Sequence, residues 1–494
     1  MRDDFYFEIL ARYLGPIKFR ALGDFECRNL GPAKFRLLGY HVKSFMPTFD
    51  LIVRGGTLVR NSSLETKDLG VTDGKIVALE PEISGSARAE IDARGLHVLP
   101  GVIDAHVHFN EPGRTDWEGI ASGSKAFAAG GGTTFVDMPL NSSPVTIDGP
   151  SFDLKLAAMR ASSLTDFALW GGLVPGNLEN LAELAARGVM GFKAFMSNSG
   201  LAEFDAADDL TLLEGMRLAA KLDLPVAVHA ESDSITSALS SRMRAAGRTG
   251  IRDYLESRPV LAELEAISRA ILLAEETGCA LHIVHISSGR GVALAAQARA
   301  RGVNVTLETC PHYLAFTDDD LERLGAVLKC APPVRDDLER DQLWREVLTG
   351  QVDIIGSDHS PAPPKMKTSQ DFFAIWGGIS GVQSTLAVLL TEGVQARGLS
   401  LELLARMLAA NPAARFGFAH KGKLELGFDA DFSLLDLTKS FKLEPDDLLY
   451  RHTQSPYLGK TFAGVVRRTV SRGHTIFLDG KTVTGTRGQF VRPA

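Results

Sequence analysis

Residues 101–119 read GVIDAHVHFNEPGRTDWEG. His106 and His108 flank Val107, straight after an apolar run. On a strand, positions i and i+2 share a face, so the two imidazoles aim the same way. A lone histidine on an apolar strand usually has its hydrogen bonds satisfied within a core. Two together at a strand end are costly to desolvate without a partner, and a metal ion removes that cost. Imidazole nitrogen suits zinc and its neighbours.

Other β-rich runs end on residues of the same chemistry. VAVHAES carries His229, LHIVHISS carries His285 and DIIGSDHSP carries Asp358. His282 precedes His285 by three residues, falls on the opposite face and reads as structural. His359 points away from its neighbour Asp358 and reads as a support for the site. Lys193 lies inside the apolar run GFKAF. A lysine there must lose its charge, pair or be modified. The plain reading is a salt bridge at a rim. The sharper one is carbamylation by CO2, which makes the amine a carboxylate-like bridge between two metal ions. Two such ions can share a hydroxide and bring its pKa towards neutrality.

Eight short apolar runs could position these side chains: 102–108, 133–139, 168–174, 189–195, 225–229, 281–286, 303–309 and 353–358. Stretches of helical period separate them, with helices expected over 260–277 and 337–349. The alternation predicts an α/β fold, a parallel (β/α)8 TIM-type barrel over 101–420, with the site at the C-terminal ends of its strands. Segments 49–100 and 421–494 read as strands and glycine turns. They are expected to join as one small β-sandwich domain. Residues 1–48 differ: LGPIKFRALG (14–23) recurs as LGPAKFRLLG (30–39). Two copies are too few for a solenoid. The segment reads as a disordered extension or an upstream start with Met46 the real beginning; the alternative is a binding arm or targeting segment.

Composition narrows the function classes. The 494 residues are 45% hydrophobic and 23% charged, with a net charge of −7, which is ordinary for a globular protein. No Lys/Arg run makes a basic face, so no nucleic-acid partner is expected. No apolar run approaches the ~20 residues of a membrane span, so no membrane partner is expected either. The start, MRDDFYFEILARY, carries acids where a secretory signal has a basic region. Four scattered cysteines without a CxxC motif fit free thiols in a reducing cytoplasm.

Eight stretches occur in order: HVHFNEPGRTDWEG, GGTTFVDMPLNSSPVT, GFKAFMSNSG, LETCPHYL, KCAPPVRD, SDHSPAPPKMK, WGGISGVQ and YRHTQSPYLGKT. With the His–x–His, Lys, His, His, Asp set they resemble the amidohydrolase superfamily, in its cyclic-amidase branch, and within it the allantoinase family. The resemblance spans about residues 50–490. It implies a binuclear metal centre of two divalent ions per chain, zinc first, with cobalt, iron or manganese as alternatives. It implies that His106, His108 and Asp358 bind one ion, that His229 and His285 bind the other, and that carboxylated Lys193 bridges them. Asp358 is the implied general base. The implied reaction is hydrolysis of the ring amide of allantoin to allantoate by a metal-bound bridging hydroxide, in purine and ureide catabolism. A cytoplasmic homotetramer is implied as well.

Departures from sister families guide the choice of substrate. Dihydroorotases follow the histidine pair with a hydrophobic residue and an arginine that holds a substrate carboxylate; here Phe109 and Asn110 follow. Hydantoinases carry a tyrosine five residues after the bridging lysine; here that residue is Asn198. Inactive dihydropyrimidinase-like proteins have lost metal ligands, and all six are present here. The alternatives are a hydantoinase or dihydropyrimidinase acting on another cyclic amide, and a non-enzymatic assembly protein on the same fold. Asn141, Ser287 and Ser360 are candidate substrate contacts, with capping of turns or helices as the plain reading. Arg114 and Arg335 read as ion-pair partners. The glycines of WGGISG would let a loop pass close to the site.

Overall fold

The computed structural model describes residues 49–485 and 487–494. The expected extension over 1–48, with its repeat and Cys27, lies outside the described residues. β1 (Phe49–Val59), β2 (Leu64–Thr72) and β3 (Lys75–Glu80) form an antiparallel meander. β4 (Ala87–Asp92) and β5 (His97–Pro100) run parallel to β1.

One residue later the barrel begins. A parallel strand covered on both faces is buried along its whole length rather than at alternate residues. β6 (Val102–Val107) and β7 (Gly132–Asp137) are accordingly buried at every position. β8 (Asp166–Leu169) pairs with β7. β9 (Gly171–Gly172), β10 (Phe192–Phe195), β11 (Val226–His229), β12 (Leu281–Ile283), β13 (Val305–Thr309) and β14 (Ile354–Ile355) follow side by side. β8 and β9 are halves of one interrupted strand, and the bond from Met190 N to Leu169 O (3.0 Å) carries the pairing across the break. Beyond β14, His359 bridges to Val107 in parallel, and His108 N donates to His359 O at 2.8 Å. The ring is thereby closed. The Asp104 carboxylate reinforces the closure by accepting from His106 N (3.0 Å) and Ser357 N (3.1 Å). Burial pushes its carboxyl up to about 7, against those hydrogen bonds.

The helices lie where period and caps place them. Val260–Thr277 starts after Pro259 and ends on Gly278 at φ 68°, the left-handed stop that glycine favours. It buries Ala262, Ala266, Ala270 and Ala274 in i, i+4 steps. Asp337–Leu348 is capped by Asp336, whose side chain accepts from Glu339 N at 2.9 Å. The third strand differs from its expected span of 168–174. It begins at Asp166, because Lys421 and Arg472 each pair with that carboxylate at 2.8 Å and let it enter the core. Its far end turns away at Asn177, whose side chain accepts from Val174 N at 3.0 Å. Under the first strands, the rings of Phe109 and Phe135 meet edge-on at 4.7 Å. Full burial of such a side chain contributes about 1.5–3 kcal/mol.

After the barrel, β15 (Phe432–Lys442) pairs antiparallel with β5, followed by β16 (Thr461–Ser471), β17 (His474–Leu478) and β18 (Lys481–Thr482). The two chain ends thus share one nine-stranded sheet among the described residues. None of the described helices is long and apolar enough to cross a membrane.

Lys421 ties this sheet to the barrel. Its ammonium contacts Asp166 of β8 at 2.8 Å, Asp431 at 2.7 Å and Asp429 at 3.0 Å, and only 5% of its side chain is exposed. Removing one partner of a buried charge cluster strands the others. Lys421→Met is therefore expected to destabilise the fold by about 3–5 kcal/mol, read from urea unfolding beside the parent chain.

Candidate active site

The site is built from strand ends and the residues just past them. β6 ends at Val107 and carries His106 and then His108 into the barrel mouth; both are buried. The residues after β14 carry Asp358, which adopts φ 44°. His106 Nε2 and His108 Nε2 each lie 3.3 Å from Asp358 Oδ1. One ligand atom from each of these three residues fits within 4.8 Å of the others, an arrangement that could hold a metal ion. Ser360 Oγ donates to the same carboxylate oxygen at 2.8 Å. Burial alone would raise the Asp358 carboxyl. The charges of His106, His285 and His108, with the His108 hydrogen bond, outweigh it and hold the group well below the ordinary carboxylate range.

His229 closes β11, and His285 lies two residues past β12 at φ 39°. His229 Nδ1 and His285 Nε2 face each other at 2.9 Å. The His285 ring is 5.4 Å from that of His106, centre to centre, which brings the two histidine pairs into one cluster. Burial lowers the basicity of His108, His229 and His285, most strongly His285. Neutral imidazoles are the form that ligates metals. Lys193 on β10 is fully buried, its Nζ has no hydrogen-bond partner, and it lies 4.7 Å from the centre of the Phe195 ring. Burial pushes its amine down to about 7, although Asp358 and Glu308 favour its charged form.

A cavity of about 480 Å³ opens over this cluster, lined by His106, His108, His229, His285 and Asp358. Asn141 (φ 70°), Asn198 and Ser360 also line it. Ser287 is not among the residues that line this cavity. It is buried, its hydroxyl bonds both Glu263 carboxylate oxygens at 3.0 Å, and it accepts from Arg335 Nε at 2.9 Å. Arg335 therefore braces Ser287, and its other bond, at 2.5 Å, goes to the Arg258 carbonyl. Arg114 pairs with Glu203 and donates to the carbonyls of Asn141 (3.2 Å) and Ser142 (3.1 Å). His282 is satisfied by Thr306 Oγ1 at 2.9 Å and Glu308 at 3.4 Å. His359 Nδ1 accepts from Gly381 N at 3.1 Å.

Sequence reading did not single out the carboxylates that orient the imidazoles. Glu308, on β13, accepts from His106 Nδ1 as well as His282 Nε2. His106 and His282, by charge and hydrogen bonding, hold its carboxyl down at about 2 despite burial. Glu231 lies 3.0 Å from His229 Nε2 and pairs with Arg258. Arg258 and His229 hold it near 2, again against burial. Both acids stand inside stretches whose histidines or family likeness drew attention, VAVHAES and LETCPHYL. An acid inside or just past an apolar strand was the available signal.

The amidohydrolase family profile matches residues 97–481. The allantoinase of Rubrobacter xylanophilus is 62% identical over 448 residues, 91% of this chain and 98% of that protein. The allantoinase of Solibacter usitatus is 60% identical, over 90% and 97% of the two chains. Among solved structures, the L-hydantoinase (dihydropyrimidinase) of Arthrobacter aurescens is 36% identical, with a TM-score of 0.88 over 90% of this chain and all of that one.

Glu308→Ala would remove the acceptor that fixes the His106 ring and would leave both imidazoles short of a partner. Loss of such a support to a metal-ligating histidine typically costs 10–100-fold in metal affinity or activity. A fall of about that size in zinc affinity, measured by competition with a chromophoric chelator, is the expected outcome.

Proposed function

The chain belongs to the amidohydrolase family, and from that membership we propose that it opens the hydantoin ring of allantoin by hydrolysis, giving allantoate. The carrying observation is the contact of Asp358 with both His106 and His108 on the cavity wall. Likeness to the allantoinases supports the substrate. Phe109 and Asn110 also fit it, because allantoin has no carboxylate for an arginine to hold.

The donor set suits divalent metal ions. Lys193 Nζ is buried with no hydrogen-bond partner, and four imidazoles and a carboxylate surround the same space. Such nitrogen and oxygen donors accept zinc, cobalt, iron or manganese, and zinc is the first candidate. His106, His108 and Asp358 would hold one ion, His229 and His285 the second, and Lys193 as a CO2-derived carbamate would reach both. When bound, such ions polarise a carbonyl and bring the pKa of water towards neutrality.

Asp358 is the group that moves the proton. Its carboxylate is ionised before substrate arrives, and Ser360 donates to its Oδ1. Oδ2 is the oxygen left to take a proton from the attacking water. As the ring C–N bond breaks, that proton passes to the leaving nitrogen, so one side chain serves first as base and then as acid. The acyl carbon keeps the oxygen of water as a carboxylate, and the second proton of that water leaves to solvent. Asn141 and Ser360 are the proposed ring contacts. The Ser287 hydroxyl, engaged by Glu263 and Arg335, instead joins the brace behind His285. A cytoplasmic homotetramer belongs to the same proposal, supported by the family resemblance.

The likeness to an L-hydantoinase favours a second reading, in which another cyclic amide is the substrate. A turnover assay of metal-quantified protein on allantoin, hydantoin, dihydrouracil and dihydroorotate separates the two. Fastest turnover is expected on allantoin, and preference for hydantoin or dihydrouracil would reassign the substrate. Asp358→Ala, assayed with its metal content verified, is expected to lose about 10²–10⁴ in kcat, the usual scale of general acid–base work. Unchanged kcat in that variant would remove Asp358 from the proton path. Dialysis against a chelator is expected to abolish turnover, and zinc to restore it.

A further inference from the structure

One continuous stretch, Phe373–Gly378, forms a wall of the cavity. Ala374, Gly377 and Gly378 leave much of it as bare main chain, so its position depends on whatever holds the backbone. Among the described residues its own regular structure is one 3-10 turn, Phe372–Ala374. Two lysines hold it. Lys329 Nζ donates to the carbonyls of Phe372 (2.6 Å), Phe373 (3.3 Å) and Ile375 (2.5 Å). Lys367 Nζ donates to Trp376 and Gly378, both at 2.8 Å, and to Ala326 at 3.1 Å.

An ammonium has three donors, and each of these lysines spends all three on carbonyls. Among the described residues neither has a carboxylate within 4.0 Å. Burial pushes both amines down to about 7; in the protonated form their bonds are charge-assisted and about twice as strong as neutral ones. Two further bonds lock the same segment: Gly378 N donates to Lys329 O at 2.7 Å, and Trp376 N to Met366 O at 3.1 Å. Lys329 Nζ also lies 4.6 Å from the centre of the Tyr254 ring, which lines the cavity. At Gly378 (φ 153°) a Cβ would collide with the Ser360 carbonyl oxygen. The wall therefore abuts the residue whose hydroxyl holds Asp358.

We propose that Lys329 and Lys367 are positioning residues of the reaction: through the carbonyls of residues 372–378 they set the distance between this wall and Asp358, and with it the fit of the cyclic amide. The proposal rests on the ring-opening reading above. It assigns both lysines to substrate fit and neither to proton transfer.

The test compares the metal-replete full-length enzyme with Lys329→Met, Lys367→Met and Lys367→Gln, the last keeping two neutral donors. A lost contact in a substrate pocket costs about 10–200-fold. The Met variants are expected to lose about that much kcat/KM through a raised KM, with kcat little changed, the mark of lost binding rather than lost chemistry. Lys367→Gln is expected to recover part of the KM. Amide exchange at Trp376 and Gly378 is expected to be slow in the parent and fast in the Met variants, with the barrel strands unaffected. A parental KM in the Met variants, or a fall in kcat at constant KM, overturns the proposal. If the Met variants do not fold, exchange in the parent decides: open-loop rates at Trp376 and Gly378 overturn the proposal, and strand-like protection supports it. Parental turnover of a different cyclic amide overturns only the choice of allantoin, and the KM comparison is then made on that amide.

Discussion

Four imidazoles, a carboxylate and a lysine amine are held out of water at one end of the barrel, and the cost of desolvating them governs how the surrounding chain is arranged. Each polar atom needs a partner, because an unsatisfied buried donor or acceptor costs about 1–3 kcal/mol. Some partners are protein groups: Glu308 for His106, Glu231 for His229 and Ser360 for Asp358. Others have none, notably Lys193 Nζ and His285 Nδ1. Groups left in that state mark the place where chemistry has been given precedence over stability.

The supports extend outward in layers. Glu308 joins His106 on β6 to His282 on β12, and so braces strands that are not neighbours in the barrel. Arg258 neutralises Glu231 and offers its carbonyl to Arg335, which in turn holds Ser287 against Glu263. Main-chain bonds to His359 and the Asp104 carboxylate close the barrel between the segments that carry the histidine pair and Asp358. Barrel closure and assembly of the site are therefore one structural event, since the same few residues serve both.

The wall formed by residues 373–378 follows a different rule. The histidines stand at strand ends or just past them. This wall is loop, and lysine side chains give it the definition that a hydrogen-bonded ladder would otherwise supply. Families that share the metal-binding side can differ in the ring they accept by altering such a wall, which leaves the strand ends untouched.

Much of this was legible in the residue order. Apolar runs alternating with helical period point to a parallel barrel, and the i, i+2 spacing of His106 and His108 aims two imidazoles one way whatever the rest of the chain does. Pro259 and Gly278 mark the ends of a helix by local sterics alone. These are short-range effects, and short-range effects are written in neighbouring residues. What only the tertiary structure decided is long-range pairing. The entry of Asp166 into a strand depends on Lys421, 255 residues away, and the orientation of His106 depends on Glu308, 202 residues away. The turning of Ser287 towards Glu263 and Arg335, rather than into the cavity, is of the same kind. Nothing near these residues in the chain specifies their partners, because a charge or hydroxyl bonds whatever the closed barrel brings within 3 Å of it.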